Sequence, residues 1–261
     1  MGGFIDLKAS DGHRLRAYAS GAPSQPQSLV LCHGHSGLSQ HVRHVTDRMA
    51  ALGFYVIAPA LFDRAKPEME LTYSAGDRTQ WRAMAASIPA EQTISDIVAA
   101  KAALGHSASA ILGYGCGALA AWQAAASVPG FRAAVCYYGG GLSNCREYIP
   151  LCPVQLHFGE FDDQIPTAPV GGNRHTDAPV SIEFYSGAGH GFACGELESF
   201  NPMAAEAAHD NTLAFLRQHM GNTRRSHHGA PAVNDTPVNP PVAQVWRGPE
   251  RRVAFGRRVF A

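Results

Sequence analysis

The stretch Ala110-Ile111-Leu112-Gly113-Tyr114-Gly115-Cys116-Gly117-Ala118-Leu119-Ala120 decides how this chain is read. A short apolar run of strand character breaks into a glycine-rich turn and leaves as an alanine-rich helix, with small residues wherever strand and helix would touch. Such a strand-turn-helix elbow lifts the residue at its turn above the carboxyl edge of a sheet.

Working outward from the elbow, the same alternation recurs. Phe4 to Lys8 and Arg14 to Tyr18 alternate around Asp11-Gly12, which predicts an antiparallel pair at a sheet edge. Ser28-Leu29-Val30-Leu31-Cys32 is a continuous apolar strand ending in His33-Gly34-His35-Ser36-Gly37, as suits a parallel sheet covered on both faces. Val42, Val45, Met49, Ala50 and Leu52 have helical spacing up to Gly53, and Phe54 to Ala58 is a strand closed by Pro59. Leu61 to Ser87 is polar and irregular, read as a loop with a short helix near the carboxyl edge. Ile88 to Leu104 is read as one helix.

After the elbow come a helix over Gly117–Ser127 and a buried strand over Ala133–Tyr138. A strand over Val154–Phe158 runs into Gly159-Glu160-Phe161-Asp162-Asp163, and one over Val180–Tyr185 runs into Ser186-Gly187-Ala188-Gly189-His190. A last helix spans Ala204–His219. Strands alternating with helices over 220 residues predict an α/β fold, a doubly wound and mostly parallel sheet with helices on both faces. Ligands of such sheets sit at the carboxyl ends of the strands, where the loops after Cys32, Gly113, Phe158 and Tyr185 converge.

The chain has 261 residues, 46% of them hydrophobic, enough for a substantial core. Its formal net charge of zero conceals an uneven split. Residues 1–220 carry 14 Lys and Arg against 19 Asp and Glu, whereas 221–261 carry 7 Arg against 2 acids. The expected partition is one domain over 1–220 and a basic, disordered tail over 221–261, rich in Pro, Asn and Ala. Nothing in the body suggests a nucleic-acid surface; a docking arm with weak contacts is the second reading of the tail. Six cysteines without a CxxC pair read as reduced thiols. No basic segment followed by an apolar run opens the chain, and no stretch reaches the roughly 18 apolar residues of a membrane helix. A cytoplasmic protein that meets no membrane is the expectation.

These residues in this order resemble the dienelactone hydrolase family of α/β-hydrolases. The likeness is carried by Ser10-Asp11-Gly12-His13, Gly37-Leu38, the run Arg48 to Pro59, Gly113-Tyr114, Arg132 to Val135 with Tyr137-Tyr138-Gly139, Gly159 with Asp162 and Ile165-Pro166, and Gly187-Ala188-Gly189-His190-Gly191-Phe192. The resemblance implies a cofactor-free hydrolase of a small ester, lactone or thioester, with a Cys or Ser nucleophile, an Asp and a His. Carried over by position, the acid falls on Asp162, with Asp163 as the neighbouring choice, and the base on His190; His35, Gly115 and Gly117 fall at the oxyanion hole and elbow. No metal site is expected, although His33, His35, His41 and His44 have spacings that raise the question.

The sequence departs from the family at the elbow, which there reads Gly-x-Cys-x-Gly-Gly. An ungapped match puts Gly115 at the nucleophile and Cys116 one place late. A one-residue shift puts Cys116 at the nucleophile and aligns Gly117-Ala118-Leu119-Ala120 with the family's helix, at the cost of Tyr114 where a small residue is usual. The triad taken as the leading expectation is Cys116, His190 and Asp162. A family member with an impaired site that binds a small molecule or partner, and hydrolysis by water activated at His190, are the two alternatives. The family's glutamate falls on Gly34 and its substrate-binding arginine on Asn211; Arg78, Arg82 and Arg146 are the candidate replacements.

Overall fold

The structure, a computed structural model, describes residues 2–72, 74–105, 108–142, 145, 148–164 and 178–221. Ile165-Pro166 and the tail from residue 222 lie outside the described residues. Strands β1 (Gly3–Lys8) and β2 (Arg14–Ser20) form the antiparallel edge, joined at Gly12, whose φ of 90° only glycine adopts freely. There follow β3 (Gln27–Cys32), α1 (Gln40–Ala51), β4 (Phe54–Pro59), α2 (Ala75–Ser87), α3 (Ala90–Ala103), β5 (Ala108–Tyr114), α4 (Cys116–Ser127), β6 (Phe131–Tyr137), β7 (Val154–Gly159), β8 (Val180–Tyr185) and α5 (Pro202–Met220). The eight strands lie in the order β1-β2-β4-β3-β5-β6-β7-β8; β2 pairs antiparallel with β4 and every later pairing is parallel.

The period-two alternation of the central strands sorts side chains into two cores. Leu29 and Leu31 of β3, Leu112 of β5 and Val135 of β6 face α1 and α5, meeting Val42, Met49, Leu213 and Leu216. Val30, Ile111 and Ala134 face the other way, against α3 and α4, where Ile97, Ala121 and Trp122 close the layer. All these strand residues are essentially inaccessible to solvent, which is why they read as unbroken apolar runs.

The polar stretch after β4 is more ordered than its composition suggests. Ser74 caps α2 by accepting from the Asp77 amide, and Asp77 in turn accepts from Thr72. The helix read over Ile88–Leu104 is α3, which starts two residues later because Ile88 before Pro89 is extended; α2, which ends at Ser87, is the helix of the preceding polar stretch and fills much of its second half. Arg64 anchors the loop before α2: it donates twice to Asp96 of α3 at 2.8 Å and to Asp11 of the first hairpin at 2.7 Å. Asp96 is fully buried, and its burial pushes its carboxyl above the usual range while Arg64 pulls it back. Removing one partner of a buried pair leaves the other charge uncompensated. Asp96→Ala should therefore lower the unfolding free energy by about 3 kcal/mol, measured by urea denaturation, with a matching fall in Tm.

Candidate active site

The elbow is made by backbones in direct contact. A Cβ placed on Gly113 would lie 2.1 Å from the Gly117 carbonyl oxygen, and one on Gly117 would lie 2.3 Å from the His33 carbonyl oxygen. Glycine is therefore required at both positions for β5, α4 and the end of β3 to meet. Between them Gly115 has φ 56° and ψ −119°, the strained left-handed turn that sets one residue above the sheet. A Cβ there would touch nothing within 4 Å.

Cys116 comes one residue later, as the first residue of α4. Its Sγ lies 3.9 Å from the His33 carbonyl oxygen, and burial pushes the thiol up to about 12, against the smaller opposing effects of the Trp81 indole and the amides of Cys116 and Gly117. A thiol held this high is not a thiolate near neutrality.

The loops after β7 and β8 are stitched together. Glu160 N–H donates to the Tyr185 carbonyl and Phe161 N–H to the Ala188 carbonyl, while Glu160 accepts from Ser186 Oγ and Gly187 N–H. This seam presents His190 to Asp162: Nδ1 lies 3.0 and 3.1 Å from the two carboxylate oxygens. The Asp162 side chain is almost fully covered, whereas the imidazole is a quarter exposed. With Nδ1 against the carboxylate, the neutral ring carries its proton there and Nε2 is the basic nitrogen. Asp163 is exposed and does not share this arrangement. His190 and Asp162 are thus brought together, whereas no hydrogen bond joins Cys116 to His190.

The model of the dienelactone hydrolase family matches residues 15–220. A protein of Azospirillum brasilense named "Putative carboxymethylenebutenolidase" is 31% identical over 238 residues, covering 83% of this chain and 99% of its own length. The chain belongs to the dienelactone hydrolase family. "Carboxymethylenebutenolidase 1" of Cupriavidus pinatubonensis is 24% identical over 229 residues, with 81% and 95% covered. Among solved structures, a "Putative Dienelactone Hydrolase" from Klebsiella pneumoniae superposes with a TM-score of 0.67 at 23% identity, covering 83% of this chain and 99% of that one. The dienelactone hydrolase of Anabaena variabilis gives 0.64 at 16% identity, with 85% and 99% covered. Fold and hydrolase class follow from this membership.

Within this family member the remaining predicted residues have distinct places. His35 is half-buried, its ring 5.8 Å from that of Trp81, and its pKa is lowered by burial first and then by neighbouring His190 and Arg78. Trp81 and Arg78 of α2 therefore stand over the same crevice. Asn211 donates to the Tyr185 hydroxyl instead of facing a ligand, and Arg146 is outside the described residues. Tyr138 belongs to no catalytic pattern legible in the sequence. It follows directly after β6 with φ 39° and sets its ring edge-on to His190, centroids 5.4 Å apart. Its place after a strand at the carboxyl edge was the available signal.

His33 has a structural place instead. It is buried, donates from Nδ1 to the Gly34 carbonyl at 2.7 Å and accepts the Leu61 amide at Nε2, 2.9 Å. Among the described residues no three His, Cys, Asp or Glu are arranged to hold a metal ion, and no helix is long and apolar enough to cross a membrane. Burial lowers His33 and His41 to about 4 and His157 to about 3. A histidine lowered in the folded state contributes stability that is complete above its unfolded value near 6.5. That contribution is lost as pH falls, because the unfolded chain takes up protons first. Unfolding free energy should drop by on the order of 5 kcal/mol between about pH 7 and about pH 4.5. Urea titrations at the two values would check this.

Proposed function

We propose that this chain hydrolyses a small carboxylic ester, lactone or thioester by water activated at His190, without a covalent acyl-enzyme. The observation that carries the reading is the side-chain-free Gly115 in the strained turn of the elbow, with open space above it and the Cys116 thiol raised and directed elsewhere. A water in that space gives its proton to His190 Nε2 as its oxygen bonds to the carbonyl carbon. The carbonyl oxygen becomes an oxyanion, for which the first amides of α4, unpaired within the helix, are the natural donors together with the backbone near His35. Asp162 holds the ring's tautomer and stabilises the imidazolium. When the tetrahedral intermediate collapses, the bond to the leaving oxygen or sulfur breaks and the imidazolium proton passes to it. The products are the acid and the alcohol or thiol. Oxyanion stabilisation and substrate binding alone supply about 10³ to 10⁴ over water in enzymes stripped of their triad, so turnover should be modest.

With p-nitrophenyl acetate, His190→Ala should cost at least about 100-fold in kcat, while Cys116→Ala leaves the rate within about fivefold. Loss of turnover in Cys116→Ala would replace this reading by the displaced-cysteine triad. The open space at position 115 yields a further expectation. Gly115→Cys, whose strain is about 1–2 kcal/mol, should release a burst of p-nitrophenol and become sensitive to iodoacetamide. A steady, thiol-insensitive trace from that variant would show that the elbow does not face the substrate.

A further inference from the structure

The ends of β5 and α4 border two cavities. The larger, about 500 Å³, lies between α1 and α5, and Arg48, Glu196 and Glu206 line it. Its link to the elbow is Tyr114, on the sheet face away from α4. The smaller, about 220 Å³, lies under α2 and α3 and begins at Cys116 and Gly117, next to the turn itself. Its walls are Leu61, Phe62, Ala85, Ile88 and Leu119, with Thr93 and Gln123 as polar, uncharged members. Among the described residues no Lys, Arg, Asp or Glu lines it. His33 borders it but is kept neutral, with both ring nitrogens already bonded.

We infer that this cavity is the acyl pocket of the enzyme and that the preferred substrate carries an uncharged, apolar acyl chain of about five to seven carbons. The inference rests on the hydrolase reading above and deepens it. A carbonyl carbon seated above Gly115 has the Cys116 amide as its neighbour, and the space that opens beside that residue is this cavity. A carboxylate placed there would be desolvated with no counter-charge, whereas methylenes gain by leaving water. The volume sets the length. A water occupies about 30 Å³ in the liquid and a methylene is of similar size, so the cavity holds about seven such groups. Cys116 then has a part unlike that of a nucleophile: its protonated, polarisable thiol is a section of the pocket wall.

The test measures kcat/KM for p-nitrophenyl esters from acetyl to decanoyl, with the hemisuccinate as the anionic acyl group. The expected profile rises about fourfold per methylene to an optimum near six carbons and then falls, with the hemisuccinate at least about 100-fold below an uncharged chain of equal length. Ala85→Phe, on the half-exposed α2, should move the optimum at least two carbons shorter, and Leu119→Ala should move it longer. A second readout does not depend on turnover: 1-hexanol should slow alkylation of Cys116 by iodoacetamide at least about fivefold, followed by peptide mass mapping, whereas ethanol and succinate do not. Protection by 1-hexanol without hydrolysis of any ester would overturn the hydrolytic reading and leave the apolar pocket standing. A profile that falls from acetyl onward, preference for the hemisuccinate, or no protection by 1-hexanol would overturn the pocket.

Discussion

The geometry of the site depends on one steric constraint: β5, α4 and the end of β3 pass one another with no side chain between them. Gly113 faces the Gly117 carbonyl, and Gly117 faces the carbonyls of Cys32 and His33. Because both contacts are backbone against backbone, neither position has a neighbour able to move aside, and the turn between them is forced into the conformation seen at Gly115. The same constraint directs the next side chain. Once Gly115 is the raised residue, Cys116 is the first residue of α4 and its side chain leaves toward α2 and α3.

Around that elbow the protein separates polar from apolar chemistry. On one side the seam between the loops after β7 and β8 covers Asp162 and leaves His190 partly open, with Tyr138 against the ring. On the other lie the Cys116 thiol and a cavity that no charged side chain lines among the described residues. Burial, the largest influence on the Cys116 thiol, opposes its ionisation.

The buried polar groups form a framework for this arrangement. Arg64 joins the first hairpin, the loop before α2 and α3 through carboxylates at Asp11 and Asp96. Beneath the loops after β7 and β8, the Tyr137 hydroxyl, Thr212, His157 and the Tyr185 hydroxyl form a continuous hydrogen-bonded chain from β6 to β8 and α5. Each member has a partner, so the chain can lie in the core without an unsatisfied group.

The sequence by itself determined the sheet, because strands buried on both faces must be apolar throughout and their lengths, glycines and prolines mark where they stop. It also brought out the loop of Asp162 and the glycine-flanked His190, since both come directly after strand ends. The full length of α2 and the approach of Trp81 to His35 were hidden, because that segment is ordered by contacts with residues far along the chain. Tertiary structure alone decided which residue of Gly115-Cys116 stands at the turn. Both registers satisfy the local pattern of small residues, and the choice between them is made by the carbonyls of β3, which only the folded sheet brings against α4.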